Sequence, residues 1–74
     1  MKAFKVFYAT GGKETSMIVL AENESKLEEA VAKKDRDFSL GDKWSKINHQ
    51  QEIPLSNVLI KDLSVTELLW LLKQ

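Results

Sequence analysis

Few residues in this chain are of a type and at a spacing that could do chemistry. Asp35, Asp37 and Ser39 stand at positions one, three and five of "DRDFSLGDK", the spacing by which a turning backbone aims oxygens at calcium. The match ends there: the glycine comes one place late, at Gly41, and the twelfth position, where a bidentate glutamate belongs, is Lys46. Gly11-Gly12-Lys13 has the composition of a phosphate-binding loop. Glu14 follows where Ser or Thr is needed, and a strand rather than a helix comes next. His49 is the single histidine and there is no cysteine, so neither a nucleophile–base pair nor a metal-ligand set is assigned by spacing. Asn23-Glu24-Ser25 matches a glycosylation acceptor that is inert without secretion. The expectation is a protein that is not an enzyme, with no catalytic, metal or cofactor residues.

Nucleic acid is the alternative partner. Lys43, Trp44 and Lys46 offer a ring for base stacking beside two cations. Against this, 11 Lys and Arg balance 11 Asp and Glu, so the basic excess of a protein that lives on phosphate backbones is missing. A tryptophan at the start of a strand also reads first as core.

The elements that must position these residues follow from periodicity. The 74 residues make one small domain, residues 1–74, with no disulfide to staple it. Residues 2–21 alternate with period two and break once, at Gly11-Gly12, the mark of a hairpin with a two-residue primed turn. That turn pairs Thr10 with Lys13, Tyr8 with Thr15, Val6 with Met17 and Phe4 with Val19. The opposite face holds Ala3, Lys5, Phe7, Ser16, Ile18 and Leu20, too apolar to be left wholly in water. "NESKLEEAVAKK" reads as a helix over about 24–34, capped by Asn23 or by Ser25 with Glu28, and its stripe of Leu27, Ala30 and Val31 packs on the Phe4-Val6-Met17-Val19 face. In the loop that follows, Phe38 or Leu40 turns inward. "KWSKINHQQEI" is an edge or partly exposed strand ended by Pro54, and residues 55–62 read as a short extended piece. The expected fold is α+β, β-β-α-β-(β)-α, with a mainly antiparallel sheet of three or four strands.

The last helix, about 65–73, is signed by a Ser64–Glu67 capping box and a Leu63–Leu68 staple. At 100° per residue, Val65, Leu68, Leu71 and Leu72 form a core stripe, with Leu69 on its shoulder. Trp70 then points away from the core, among Thr66, Glu67, Lys73 and Gln74. The helix either lies beside the first on the same sheet face or covers Phe7, Ile18 and Leu20 on the other.

An outward tryptophan on a rigid helix is an interface anchor. The expected function is therefore a small non-enzymatic binding protein acting through protein contacts, as a homodimer or as a stoichiometric modulator or inhibitor of a larger partner. Trp70, Leu69, Thr66, Lys73, Phe7 and Ile18 are the candidate contact residues. Accessory proteins of phages and mobile elements that inhibit host enzymes are one setting compatible with this. The N-terminus lacks a signal-peptide apolar stretch, and the longest apolar run, Leu68–Leu72, falls far short of the ~20 residues that span a bilayer. The expected location is the cytoplasm, with no membrane partner.

Overall fold

The computed structural model describes residues 1–73. Two nine-residue strands, β1 (Lys2–Thr10) and β2 (Lys13–Ala21), pair antiparallel in the register the turn dictates, from Thr10 opposite Lys13 to Lys2 opposite Ala21. Gly11 and Gly12 close the hairpin at φ +57° and +83°, where a Cβ is strained, so both turn positions call for glycine. The sheet order is β2-β1-β3, with β3 (Lys46–Ile53) antiparallel to β1. The fold is thus α+β with three strands.

A first helix, α1 (Leu27–Lys34), follows a 3-10 turn at Glu24–Lys26 whose Ser25 N–H is accepted by the Asn23 carboxamide at 3.0 Å. Asn23, not the Ser25–Glu28 pair, opens the segment. Leu27 and Val31 lie against Phe4, Val6, Tyr8 and Val19 in the core cluster, with Met17 and Ala30 at its margin. Phe38 closes the far end, edge-on to Tyr8 with ring centroids 5.7 Å apart. Leu40 faces solvent.

The loop 35–45 is pinned to the end of β1 by polar side chains. The Tyr8 hydroxyl donates to Asp35 at 2.6 Å, and the Thr10 hydroxyl donates to the Asp37 carbonyl at 2.6 Å while meeting the Ser45 hydroxyl at 2.9 Å. Asp35, Asp37 and Ser39 therefore serve the turn. Trp44, read from the sequence as core, is instead 65% exposed: the strand begins only at Lys46, so the ring sits in the preceding turn, before sheet alternation can direct it inward.

β3 carries a bulge that solves a parity problem. Ile47 and Ile53 are an even number of residues apart and would share a face in a regular strand. A shift in the β1–β3 register between Phe7 and Tyr8 places His49 opposite Phe7 but Ile47 opposite Tyr8. Ile47 therefore packs on the core while Ile53 stands opposite Ala3 on the other face.

The segment after Pro54 is not a fourth strand. It forms two 3-10 turns, Leu55–Asn57 and Ile60–Asp62, joined by extended backbone at Val58–Leu59 that belongs to no strand. The Asp62 carboxylate accepts the Leu59 N–H at 3.2 Å and so closes the second turn. Helix α2 (Val65–Leu72) follows, with the expected capping box: the Ser64 hydroxyl accepts from the Glu67 N–H and the Glu67 carboxylate from the Ser64 N–H. No helix among the described residues is long and apolar enough to cross a membrane.

Candidate interaction surface

What decides the orientation of α2 is one buried ion pair at the edge of the sheet. β2 has no strand beyond it, so the N–H of Leu20 and the C=O of Ile18 point outward and need partners. Glu67 Oε2 accepts the Leu20 N–H at 2.7 Å, and Lys34 Nζ donates to the Ile18 carbonyl at 2.6 Å. Lys34 Nζ also donates to the Asp62 carbonyl at 2.8 Å and pairs with Glu67 Oε1 at 2.8 Å, so its three protons meet three acceptors. Glu67 is 3% exposed. One carboxylate thus caps its own helix, closes part of the sheet edge and neutralises the lysine reaching from the end of α1.

That anchor turns the helix away from the orientation its apolar pattern predicts. The expected core stripe of Val65, Leu68, Leu71 and Leu72 is half right: Leu68 and Leu71 are half-buried, but Val65 and Leu72 are 74% and 81% exposed. Glu67, expected in water, is the inward residue. Trp70, expected outward, is half-buried instead; three residues on from Glu67, it lies on nearly the same side. Its ring lines a groove of about 420 Å³ with Leu20, Ala21 and Ala30, and Lys33 Nζ stands 5.8 Å from its centroid.

The outward face of α2 is therefore apolar. Val65, Leu69 (51% exposed) and Leu72 recur at i, i+4 and i+7, beside exposed Thr66 and Lys73. In the preceding turns Leu55, Leu59 and Ile60 are also exposed, so residues 55–72 hold six of the nine large apolar side chains exposed among the described residues. Of the contact residues read from the sequence, Leu69, Thr66 and Lys73 fall together on this face. Trp70 does not.

Phe7 and Ile18 lie on the other sheet face, away from the core cluster. Phe7 is partly exposed, with the His49 ring 5.8 Å away and Lys5 Nζ 5.5 Å from its centroid; Ile18 is half-buried opposite Lys5. Lys43 Nζ lies 5.2 Å from the Trp44 ring, and Lys46 is exposed two residues on. Among the described residues no group of three His, Cys, Asp or Glu side chains is placed to hold a metal ion.

Sequence reading missed Val65 and Leu72 as surface residues, and Lys34 and Glu67 as the pair that puts them there. The capping box did mark Glu67. What it could not mark was the second carboxylate oxygen, free to take an edge amide 47 positions earlier in the chain. No protein-family model matches the chain, and neither a curated protein nor a solved structure matches it.

Proposed function

We propose that this chain is a non-enzymatic binding protein acting through stoichiometric protein contacts, with the outward face of α2 as its contact surface. The observation that carries the reading is the exposure of Val65, Leu69 and Leu72 at i, i+4 and i+7 on a helix whose single charged residue, Glu67, is buried. Aliphatic anchors at that spacing are how a helix presents itself to another protein. Contiguous exposed apolar surface of this kind marks interaction sites in folded proteins. Thr66 and Lys73 border the stripe. The test is photo-crosslinking from a benzophenone side chain placed at Leu69, compared with one at Lys5 on the sheet, in cells that express the chain. A discrete protein adduct from position 69 and none from position 5 is the expected result; no adduct from position 65, 69 or 72 would overturn the reading.

A second reading, nucleic-acid binding through Lys43, Trp44 and Lys46, has one observation in its favour: Trp44 is exposed where core packing was expected. Base stacking on such a ring is worth ~1–3 kcal/mol per base, but few phosphates can be neutralised by a chain of zero net charge. Oligonucleotide binding should therefore be weaker than micromolar at ~150 mM salt. Submicromolar binding that Trp44→Ala abolishes would make this the better reading.

A further inference from the structure

The C-terminal segment is built inside out. Its polar groups, the Asp62 carbonyl and the Glu67 carboxylate, converge on the Lys34 ammonium at the sheet edge. Four of its aliphatic side chains, Ile60, Val65, Leu69 and Leu72, are between half and four-fifths exposed, while Leu63, Leu68 and Leu71 are half-buried. Because the turn at Ile60–Asp62 and the first turn of α2 are tied to the same ammonium, their outer sides belong to one structural unit. We infer that this unit is the interface with a second copy of the same chain, packed across a two-fold axis on α2. The inference rests on the protein-contact reading above and names the occupant of that surface.

Three features favour a second copy over an unrelated partner. The first is composition. Surfaces that meet partners only transiently are about as apolar as any other protein surface, whereas homodimer interfaces are enriched in apolar area and resemble a core cut in half. A stripe of Val, Leu and Leu with no charged residue among them is of the second kind, and the one partner always present with this chain is another copy of it. The second is charge. The only charged side chain within α2, Glu67, is buried against Lys34, and the whole chain has zero net charge, so two copies approach without net repulsion. The third is area. At roughly 100 Å² of apolar surface per aliphatic side chain, these four exposed residues, with exposed Leu55 and Leu59 just before them, supply several hundred Å² per copy. A standard interface buries ~800 Å² per partner, roughly 65% of it apolar in homodimers, which is the scale this segment offers.

Sedimentation equilibrium of the intact chain from micromolar to millimolar concentration, with far-UV circular dichroism at each point, tests the inference. The wild type should weigh twice its 8.5 kDa. Leu69→Lys and Leu72→Lys, each at an exposed position, should keep the folded spectrum and weaken association at least 100-fold, while Leu40→Lys, at an exposed loop leucine, should leave it unchanged. A wild type that stays at the mass of one chain overturns the inference, as does a dimer indifferent to both α2 substitutions. If one of those variants unfolds, the other carries the comparison. Monomeric behaviour would leave the protein-contact reading to its own test, where a cross-linked adduct of chain plus a different protein would uphold it and refute the second copy.

Discussion

At the scale of single residues, the Tyr8–Asp35 contact sets the pH limits of the loop that closes the core. Burial, then the bond to Asp35, then the nearby charges of Asp35 and Asp37 push the Tyr8 hydroxyl up to about 12 from 10.0. The same bond, with the Asp37 N–H and the charge of Lys13 assisting, holds the Asp35 carboxyl below its ordinary value. The signs follow by linkage. Tyr8 binds its proton more tightly when folded, so its contribution is complete below pH 10 and is lost as pH rises through about 12. Asp35 binds its proton less tightly when folded, so its contribution is present above the ordinary carboxylate value and is lost as pH falls through the lowered one. Tyr8→Phe should cost ~1–3 kcal/mol at neutral pH, because it leaves a partly buried carboxylate short of a donor. In chemical denaturation across pH, the gap between variant and wild type should narrow toward both extremes. A gap independent of pH would mean that the bond does not form in solution.

Lys34 and Glu67 belong to the same scale but carry more of the structure. Removing one partner of a buried pair leaves the other charge uncompensated, at a cost of ~3–5 kcal/mol. Glu67→Ala should therefore remove a large share of the stability of a domain this small, where the total is of the order of 5–15 kcal/mol. Measured in a double-mutant cycle with Lys34→Met, the two losses should be strongly non-additive. Additive losses would place the two side chains apart.

At the scale of elements, the hairpin and α2 show what a sequence can and cannot disclose. The β1–β2 register was legible in full, because period-two alternation fixes which residues share a face and two glycines fix the turn between them. Gly11→Val tests that turn. No atom lies within 4 Å of the added Cβ, so the cost is backbone strain at φ +57°, on the order of 1–2 kcal/mol and visible as a lower melting temperature. An unchanged melting temperature would mean a different turn. The rotation of α2 was not legible. An amphipathic pattern ranks faces by apolar content, whereas here the deciding contact is an unpaired sheet-edge amide at Leu20 and an ammonium at Lys34, neither of which is local to the helix. Trp70 was misplaced for that reason: once Glu67 must face the sheet edge, the residue three places on is carried inward with it. The same limit hid the β3 bulge, since Ile47 and Ile53 look like members of one face until β1 shows that they are not.

At the scale of the whole molecule, the two edges of the sheet are treated differently. The edge at β2 is partly closed by Glu67 and Lys34. At the other, no loop or turn backbone hydrogen bond among the described residues reaches β3, whose protection is its polar run Asn48–Gln51, its bulge and the Pro54 that ends it. Closing the first edge with a carboxylate on α2 is what leaves aliphatic residues on the outside of that helix, so the exposed apolar face is a consequence of how the sheet is finished. The candidate site was accordingly only partly readable from sequence. Leu69, Thr66 and Lys73 were read as surface residues and are exposed, but Val65 and Leu72 were assigned to a core that the edge requirement forbids.

The claim on which the rest depends is that Glu67 caps the outward amide of Leu20, and amide hydrogen exchange measures it residue by residue. Leu20 and Ser16 are an even number of residues apart on β2, so both N–H groups point away from β1, but among the described residues only that of Leu20 meets an acceptor. Under native conditions the Leu20 amide should exchange as slowly as the amides bonded between β1 and β2, and the Ser16 amide should exchange orders of magnitude faster. Equal, fast exchange at Leu20 and Ser16 in the folded wild type would mean that the edge is open, that Glu67 does not face it, and that α2 is not held with its apolar side outward.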